Sequence, residues 1–145
     1  MKSKLLADSS VWIDHLHKAD EELNRALQAK EIYVHQAIIG ELACATLARR
    51  AEILTRMIVL PELPNATFGE LLALIDRRKL WGRGLTWVDV QLLGAALLAG
   101  AKLWTHDRPL QRAARELGVA YQKSCSRAER IAKRNGVIYT VATRT

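Results

Sequence analysis

Short apolar segments that alternate with longer helical segments are the feature that most restricts the fold of this chain. The segments KLLAD (4–8), EIYVH (31–35), KLWT (102–105) and VAYQ (119–122) each have the length and composition of a buried strand. Strands that alternate with helices predict a parallel sheet with helices on its faces. We therefore expect a three-layer α/β/α fold with a short, mainly parallel central sheet.

The helical segments are recognised by their end signals as well as by their period. Ser9 or Ser10 is suited to cap a helix after the first strand, and acids open the segment 20–30. The apolar stretch HQAIIGELACATLA (35–48) is predicted to be one helix, and the helical pattern continues to about residue 60. The two prolines of PELPNA predict a loop. Further helices are predicted at 68–81, 86–101 and 107–117.

The chain has 145 residues, half of them hydrophobic, which suits one domain with a real core. We expect this domain to cover residues 1–122 and a basic tail to cover residues 123–145. The tail holds six of the 22 Lys and Arg residues but one of the 15 Asp and Glu residues. It either binds nucleic acid or is an appended segment without function. No apolar run is long enough for a membrane span, and two cysteines without metal-ligand spacing fit a reducing cytoplasm.

Four carboxylates stand out, and three of them have an ordinary structural explanation. Asp8 can close a strand-to-helix turn, and Asp107 precedes a proline in the first turn of a helix. Asp89 can form a capping box with Thr86. Glu41 is different, because it is the only acid in an apolar helix, and an isolated buried carboxylate is costly. We therefore expect Glu41 to be paired, neutralised or bound to a metal ion.

Taken together, the four acids predict a shared metal site. A doubly wound sheet can bring strand-end acids and helix-borne acids to one place, since ligands bind beyond the carboxyl ends of its strands. Four like charges there would repel one another, and a bound divalent cation resolves the repulsion. Sites rich in carboxylate oxygens suit Mg²⁺ or Mn²⁺. The chemistry that commonly uses such ions is phosphodiester hydrolysis.

The segments that hold these acids also resemble a known family. LLADSSVWIDHL, IIGELACATL and GRGLTWVDVQLLGAALLAGAKLWTHDRPLQRAARELGV resemble a PIN-domain protein of the VapC toxin type, over about residues 4–121. The order is specific: an acid and a Ser after the first strand, a Glu in an apolar helix, an Asp opening a late helix, then Thr-x-Asp after a strand. The resemblance implies that the catalytic and metal-binding acids are Asp8, Glu41, Asp89 and Asp107. It also implies that the hydroxyls of Ser10 and Thr105 support them.

The resemblance further implies an activity and partners. A VapC-type protein is expected to be an Mg²⁺- or Mn²⁺-dependent endoribonuclease that cleaves transfer or ribosomal RNA as the toxin of a type II toxin–antitoxin module. It is also expected to be a homodimer that a small VapB-type antitoxin keeps inactive. The alternative is a non-catalytic module of the same fold that binds RNA or a partner protein. The presence of all four acids argues against a site that has decayed.

A run of basic residues, the histidines and the tryptophans are most simply interpreted as surface or packing residues. The segment DRRKLWGRG places Arg77, Arg78, Lys79 and Arg83 shortly before the helix of Asp89. A charge run is most often a solvated face, but this one could also attract an RNA backbone toward the acids. The four histidines are interpreted as surface or packing residues, and the four tryptophans as core residues.

Overall fold

The computed structural model describes residues 2–123 and residue 134. Its central sheet has three parallel strands in the order β2–β1–β3, which are β1 (Leu5–Ala7), β2 (Ile32–Tyr33) and β3 (Lys102–Trp104). β1 is the middle strand, and its last residue, Ala7, lies opposite Trp104. The predicted strands at KLLAD, EIYVH and KLWT are therefore confirmed, and so is their parallel arrangement.

The part of the chain that the structure describes contains seven helices. They are α1 (Ser9–His17), α2 (Glu21–Gln28), α3 (Gln36–Cys44), α4 (Arg50–Ile58), α5 (Phe68–Arg78), α6 (Trp87–Ala99) and α7 (Arg108–Glu116). Because β2 and β3 lie on opposite sides of β1, right-handed crossovers place helices on both faces of the sheet. All three residues of β1 and most of the middle of α6 are buried, so the core lies between the sheet and its helices.

The predicted final strand at 119–122 is wrong. This segment makes one isolated parallel bridge to β3, with Ala120 opposite Leu103. The Leu103 N–H donates to Val119 at 2.7 Å, and the Tyr121 N–H donates to Leu103 at 2.9 Å. The Tyr121 hydroxyl donates to the Glu22 carboxylate of α2. The segment therefore pairs with β3 at one bridge and does not form a regular strand.

The prediction of one continuous helix through residues 35–48 is also wrong. α3 ends at Cys44, and α4 begins only after Arg49, which adopts a left-handed conformation with φ of 57°. Two side-chain contacts hold this break. Arg49 pairs with Glu52 at 2.7 Å, and the Arg50 Nε donates to the Ala43 carbonyl at 2.8 Å. The composition of residues 35–48 is compatible with one helix throughout, so the end of α3 at Cys44 could not be predicted from composition.

The tryptophans do not all lie in the core. Trp12 and Trp104 are buried as predicted, but Trp81 and Trp87 are 61% and 44% exposed. Trp87 is the first residue of α6, and its ring contacts that of Phe68 at a centroid distance of 5.7 Å. The prediction of a core position is therefore wrong for these two side chains.

Two predictions concern regions at or beyond the edge of this fold. Within residues 2–123, no helix is long and apolar enough to cross a membrane. The predicted basic tail at 123–145 lies outside the described residues, except for Lys123 and Arg134.

Candidate active site

Asp8 directly follows β1 and is buried, with 5% of its surface exposed. Its carboxylate caps α1 by accepting a hydrogen bond from the Val11 N–H at 3.3 Å. The hydroxyls of Ser10 and Thr105 also donate to it, that of Thr105 at 2.5 Å. The prediction that Ser9 or Ser10 caps this helix is therefore wrong, because Asp8 itself is the cap. Three donors hold the carboxylate in one orientation.

Thr105 and Asp107 follow β3, and they lie beside Asp8 because β3 pairs with β1. The Thr105 hydroxyl donates to Asp8 and accepts from the backbone N–H of Asp107 at 3.0 Å. Asp107 caps α7 by accepting from the Leu110 N–H at 3.1 Å, and Pro109 lies in the first turn as predicted. The Thr105 hydroxyl therefore connects the Asp8 carboxylate to the backbone of Asp107.

Asp89 lies in the first turn of α6, where it forms the predicted capping box with Thr86. The Thr86 N–H donates to the Asp89 carboxylate at 2.9 Å, and the Asp89 N–H donates to the Thr86 hydroxyl at 3.1 Å. Burial raises the pKa of Asp89, and the negative charges of Asp107 and Asp8 raise it further, although the Thr86 hydrogen bonds oppose the shift. Asp89 therefore lies within electrostatic range of both strand-end acids.

Glu41 lies on α3 and is exposed, so the expectation of a buried carboxylate is wrong. α3 directs Ile38 and Leu42 into the core and leaves Glu41 at the exposed edge of that face. The Glu41 carboxylate accepts a hydrogen bond from the Ser9 hydroxyl at 2.7 Å. Because Ser9 follows Asp8, this bond connects Glu41 to the site through the first turn of α1. The sequence suggested Ser9 only as a helix cap and did not predict its contact with Glu41, which depends on the register of α1.

His106 lies between Thr105 and Asp107 and is also connected to α1. Its backbone N–H donates to the Ser10 hydroxyl at 3.0 Å, and its ring Nδ1 lies 2.5 Å from the Asp14 carboxylate. The His106 side chain is 42% exposed, in agreement with the surface interpretation. The contact with Asp14 was not predicted, because an acid on the polar face of a helix gives no distinguishing signal.

The four basic residues predicted to contact RNA lie in different places. Arg83 pairs with Glu116 at the end of α7, at 2.8 Å. Arg77 and Arg78 line a groove with the C-terminal residues of α6, whereas Asp89 lies at the N-terminal end of that helix. Lys79 ends α5 in a left-handed conformation with φ of 52°. The structure does not gather this run at the acids, and its contact with RNA stays a prediction.

The donors of the candidate site are carboxylate and hydroxyl oxygens, which are the ligands that Mg²⁺ and Mn²⁺ prefer. A bound cation would also relieve the repulsion that contributes to the raised pKa of Asp89. The chemistry of Asp8, Glu41, Asp89 and Asp107 therefore fits a divalent cation. As they stand, no three His, Cys, Asp or Glu side chains of the described residues form a group that could hold a metal ion.

Comparison with known proteins finds related chains. A family model described as PIN domain matches residues 5–116. Two relatives from Mycobacterium tuberculosis, strains CDC 1551 / Oshkosh and ATCC 25618 / H37Rv, are both named Ribonuclease VapC32. Each is 44% identical over 123 residues, which is 84% of this chain and 99% of the relative. The crystal structure of PAE2754 from Pyrobaculum aerophilum shares the fold with a TM-score of 0.51 and 17% identity, covering 80% of this chain and 90% of that one.

Proposed function

Because the chain belongs to the PIN-domain family, and within it to the VapC type, we propose that it is the ribonuclease toxin of a type II toxin–antitoxin module. The proposed reaction is Mg²⁺- or Mn²⁺-dependent endonucleolytic hydrolysis of phosphodiester bonds in transfer or ribosomal RNA, in the cytoplasm. The observation that best supports it is the meeting of Asp8 and Asp107 at one edge of the sheet, with Asp89 in their electrostatic field.

The acids Asp8, Glu41, Asp89 and Asp107 would hold the divalent cation. When bound, such a cation lowers the pKa of a water molecule and offsets negative charge on the reacting phosphate. Without it, the carboxylates would repel an RNA phosphate, because like charges in a partly buried site interact strongly. The proposed activity should therefore disappear in excess EDTA.

The chain's own side chains position the reactants and transfer the proton. Ser10 and Thr105 fix the orientation of Asp8 by hydrogen bonding. We propose that one carboxylate of the site, Asp89 in the first turn of α6, accepts a proton from the attacking water. The water oxygen bonds to phosphorus while the bond to the leaving ribose oxygen breaks, and that oxygen takes up a proton.

A VapB-type antitoxin is the proposed partner that keeps the ribonuclease inactive. A groove between α1 and α4 offers it an apolar surface, at whose edge Arg49 and Arg56 both pair with Glu52. The groove is lined by Ile13, Leu16, Leu47, Ile53, Arg49 and Arg56. Since α1 also carries Ser9, which binds Glu41, a chain in this groove would lie next to the candidate site.

A homodimer is the proposed oligomeric state. Several apolar side chains of α5 and α6 are exposed, among them Phe68 at 67% and Leu98 at 52%. Exposed apolar patches of this kind are typical of protein interfaces. Light scattering should find a dimer, and Phe68→Glu should convert it to a monomer. A monomeric wild-type protein would show that this part of the proposal is wrong.

The cleavage activity is tested by mapping cut sites on total RNA with Mg²⁺ or Mn²⁺. Wild-type protein should cut at a small number of sites, whereas Asp89→Asn should cut none of them and should no longer arrest growth when expressed. Asp76→Asn is a matched control, because Asp76 is an exposed acid on α5 outside the candidate site. Full activity in excess EDTA, or retained cleavage by a well-folded Asp8→Asn variant, would contradict the proposal.

One observation favours the second candidate function, a non-catalytic PIN-fold module that binds RNA or protein. The described residues do not contain a preformed group of three metal-binding side chains. Calorimetric titration with Mn²⁺ separates the two candidates, because a non-catalytic module would bind RNA or its partner without taking up the ion.

A further inference from the structure

The outward face of α7 carries three arginines that the sequence analysis did not single out. Arg108, Arg112 and Arg115 are all exposed. At about 100° per residue, their positions fall within about 60° of the helix circumference, so they form one stripe. The buried residues of the same helix, Leu110 and Ala113 among them, lie on the opposite side. We call these three residues the α7 arginine stripe.

The α7 arginine stripe is not neutralised by neighbouring acids of residues 2–123. The ion pairs of this part of the chain do not include Arg108, Arg112 or Arg115. The one acid within α7 is Glu116, and its carboxylate pairs with Arg83 at 2.8 Å. The stripe is therefore a local concentration of three positive charges facing solvent.

The stripe begins at the candidate site. Arg108 directly follows Asp107, which caps α7, and Arg115 lies about 10 Å farther along the helix axis at 1.5 Å per residue. A stripe of this length can contact more than one phosphate of a single strand. A strand whose phosphate enters the acidic site could therefore continue along α7.

The charge of the site explains why such a stripe would be needed. Four carboxylates repel the phosphates of an approaching RNA, and positive charges directly beside them offset this repulsion. Guanidinium groups suit phosphate oxygens, because their planar donors can bind two oxygens at once. The run 77–83 is less well placed for this role, since Arg83 is paired and Arg77 and Arg78 lie at the far end of α6.

We propose that the α7 arginine stripe is the surface that binds the RNA backbone next to the candidate site. The proposal rests on the proposed function only in taking RNA as the ligand. Because the stripe lies outside the four acids, RNA binding can be measured with a protein that does not cleave RNA. The proposal also differs from the prediction for the segment 76–84, which places the RNA contact before α6.

The test is RNA binding by an Asp89→Asn protein in EDTA, followed by the anisotropy of a labelled single-stranded oligoribonucleotide of mixed sequence. The triple variant Arg108→Gln, Arg112→Gln and Arg115→Gln should bind about tenfold to a hundredfold more weakly at about 0.1 M salt. The slope of log affinity against log salt should become about 2 smaller in magnitude, since each lost phosphate contact removes about 0.7. Glutamine keeps the helix propensity, and thermal unfolding checks the fold.

A matched control removes the same charge from the other end of the sheet. Lys2, Lys4 and Lys30 are exposed and lie near the amino ends of β1 and β2. Their triple change to glutamine should leave the affinity within about twofold of the parent protein and the slope unchanged. An equal loss in both triple variants would overturn the proposal, because it would show a general effect of net charge.

Three further outcomes separate this proposal from its alternatives. If RNA affinity is unchanged but binding of a VapB-type antitoxin falls, the stripe is a protein interface and the proposal is wrong. If the wild type binds RNA through the stripe but does not cut it, the proposed ribonuclease activity fails while this proposal stands. If the wild type cuts RNA and the stripe variants bind it normally, the proposal for the stripe is wrong while the proposed ribonuclease activity stands.

Discussion

The strand-end acids and the helix-borne acids of the candidate site are held in place by different means. Asp8 and Asp107 follow two paired strands, and the Thr105 hydroxyl donates to the Asp8 carboxylate and accepts from the Asp107 backbone N–H. Asp89 and Glu41 depend on their own helices, Asp89 through a capping box and Glu41 through a single serine hydroxyl at the surface. The difference predicts that Asp8, which is buried among three donors, contributes more to stability than Glu41, which has one donor at the surface.

The largest effect on stability is expected for Asp8→Ala. It removes the cap of α1 and the acceptor of two hydroxyl groups, which should cost about 2–4 kcal/mol of the free energy of unfolding. Asp8→Asn keeps the shape and most of the hydrogen bonds, so it should lose cleavage but little stability. Urea denaturation of both variants measures the difference. Equal stability of Asp8→Ala and wild type would remove the distinction between the two kinds of acid.

Thr105→Val should have the next largest effect, about 1–2 kcal/mol, because it leaves the buried Asp8 carboxylate without one donor and the Asp107 N–H without its acceptor. Thr105→Ser retains the hydroxyl and serves as the control. The matched change beside a helix-borne acid is Ser9→Ala, because Ser9 donates to Glu41. It removes an exposed hydrogen bond and should cost less than about 0.5 kcal/mol of the free energy of unfolding. Similar losses of stability for Thr105→Val and Ser9→Ala would contradict the claim that the contacts of Asp8 stabilise the fold more than the contact of Glu41.

Asp89→Asn should change stability in a pH-dependent way. The folded-state pKa of Asp89 is raised above the ordinary value of 3.8, so its ionisation costs stability as the pH rises through the folded pKa. In metal-free buffer, the stability of Asp89→Asn relative to wild type should therefore increase between about pH 3 and about pH 7. The gain should be a few tenths of a kcal/mol, because the group is half-buried and solvent screens it.

Addition of Mn²⁺ should reverse that order, since an ion that binds only the folded wild type stabilises it. Thermal unfolding across this pH range, with and without Mn²⁺, provides the measurement. A relative stability of Asp89→Asn that falls as the pH rises would contradict the assigned electrostatics.

The smallest effect on stability is expected for Glu41→Gln, within about 0.5 kcal/mol of wild type, because Glu41 is exposed. Its effect on RNA cleavage should nevertheless be large if Glu41 serves the metal site. Paired measurements of unfolding and of cleavage rate separate the two roles. A strong loss of stability would instead assign Glu41 to a structural hydrogen bond.

The sequence predicted that Asp8 and Asp107 lie at strand ends, because strand ends and helix caps are local signals. Apolar runs that end in Asp8 and in the Thr105–Asp107 segment indicate both the sheet and the edge at which sheets of this kind bind ligands. The capping box of Thr86 and Asp89 was likewise readable from a spacing of three residues.

The helix-borne and surface features were harder to predict, because they depend on which way a helix faces. Glu41 looked buried among apolar neighbours, yet α3 turns it outward. Trp81 and Trp87 looked like core residues, although the described fold leaves both exposed. The break between α3 and α4 depends on contacts of Arg49 and Arg50 that no local pattern encodes.

The most direct test of the account is calorimetric titration of Mn²⁺ into the wild-type protein and into Asp8→Asn, Asp89→Asn and Asp76→Asn. The account predicts one or two bound ions in wild type and in Asp76→Asn, and affinity at least about tenfold weaker in the two site variants. Absence of Mn²⁺ binding by the wild type, or equal affinity in all four proteins, would contradict a cation site shared by these acids.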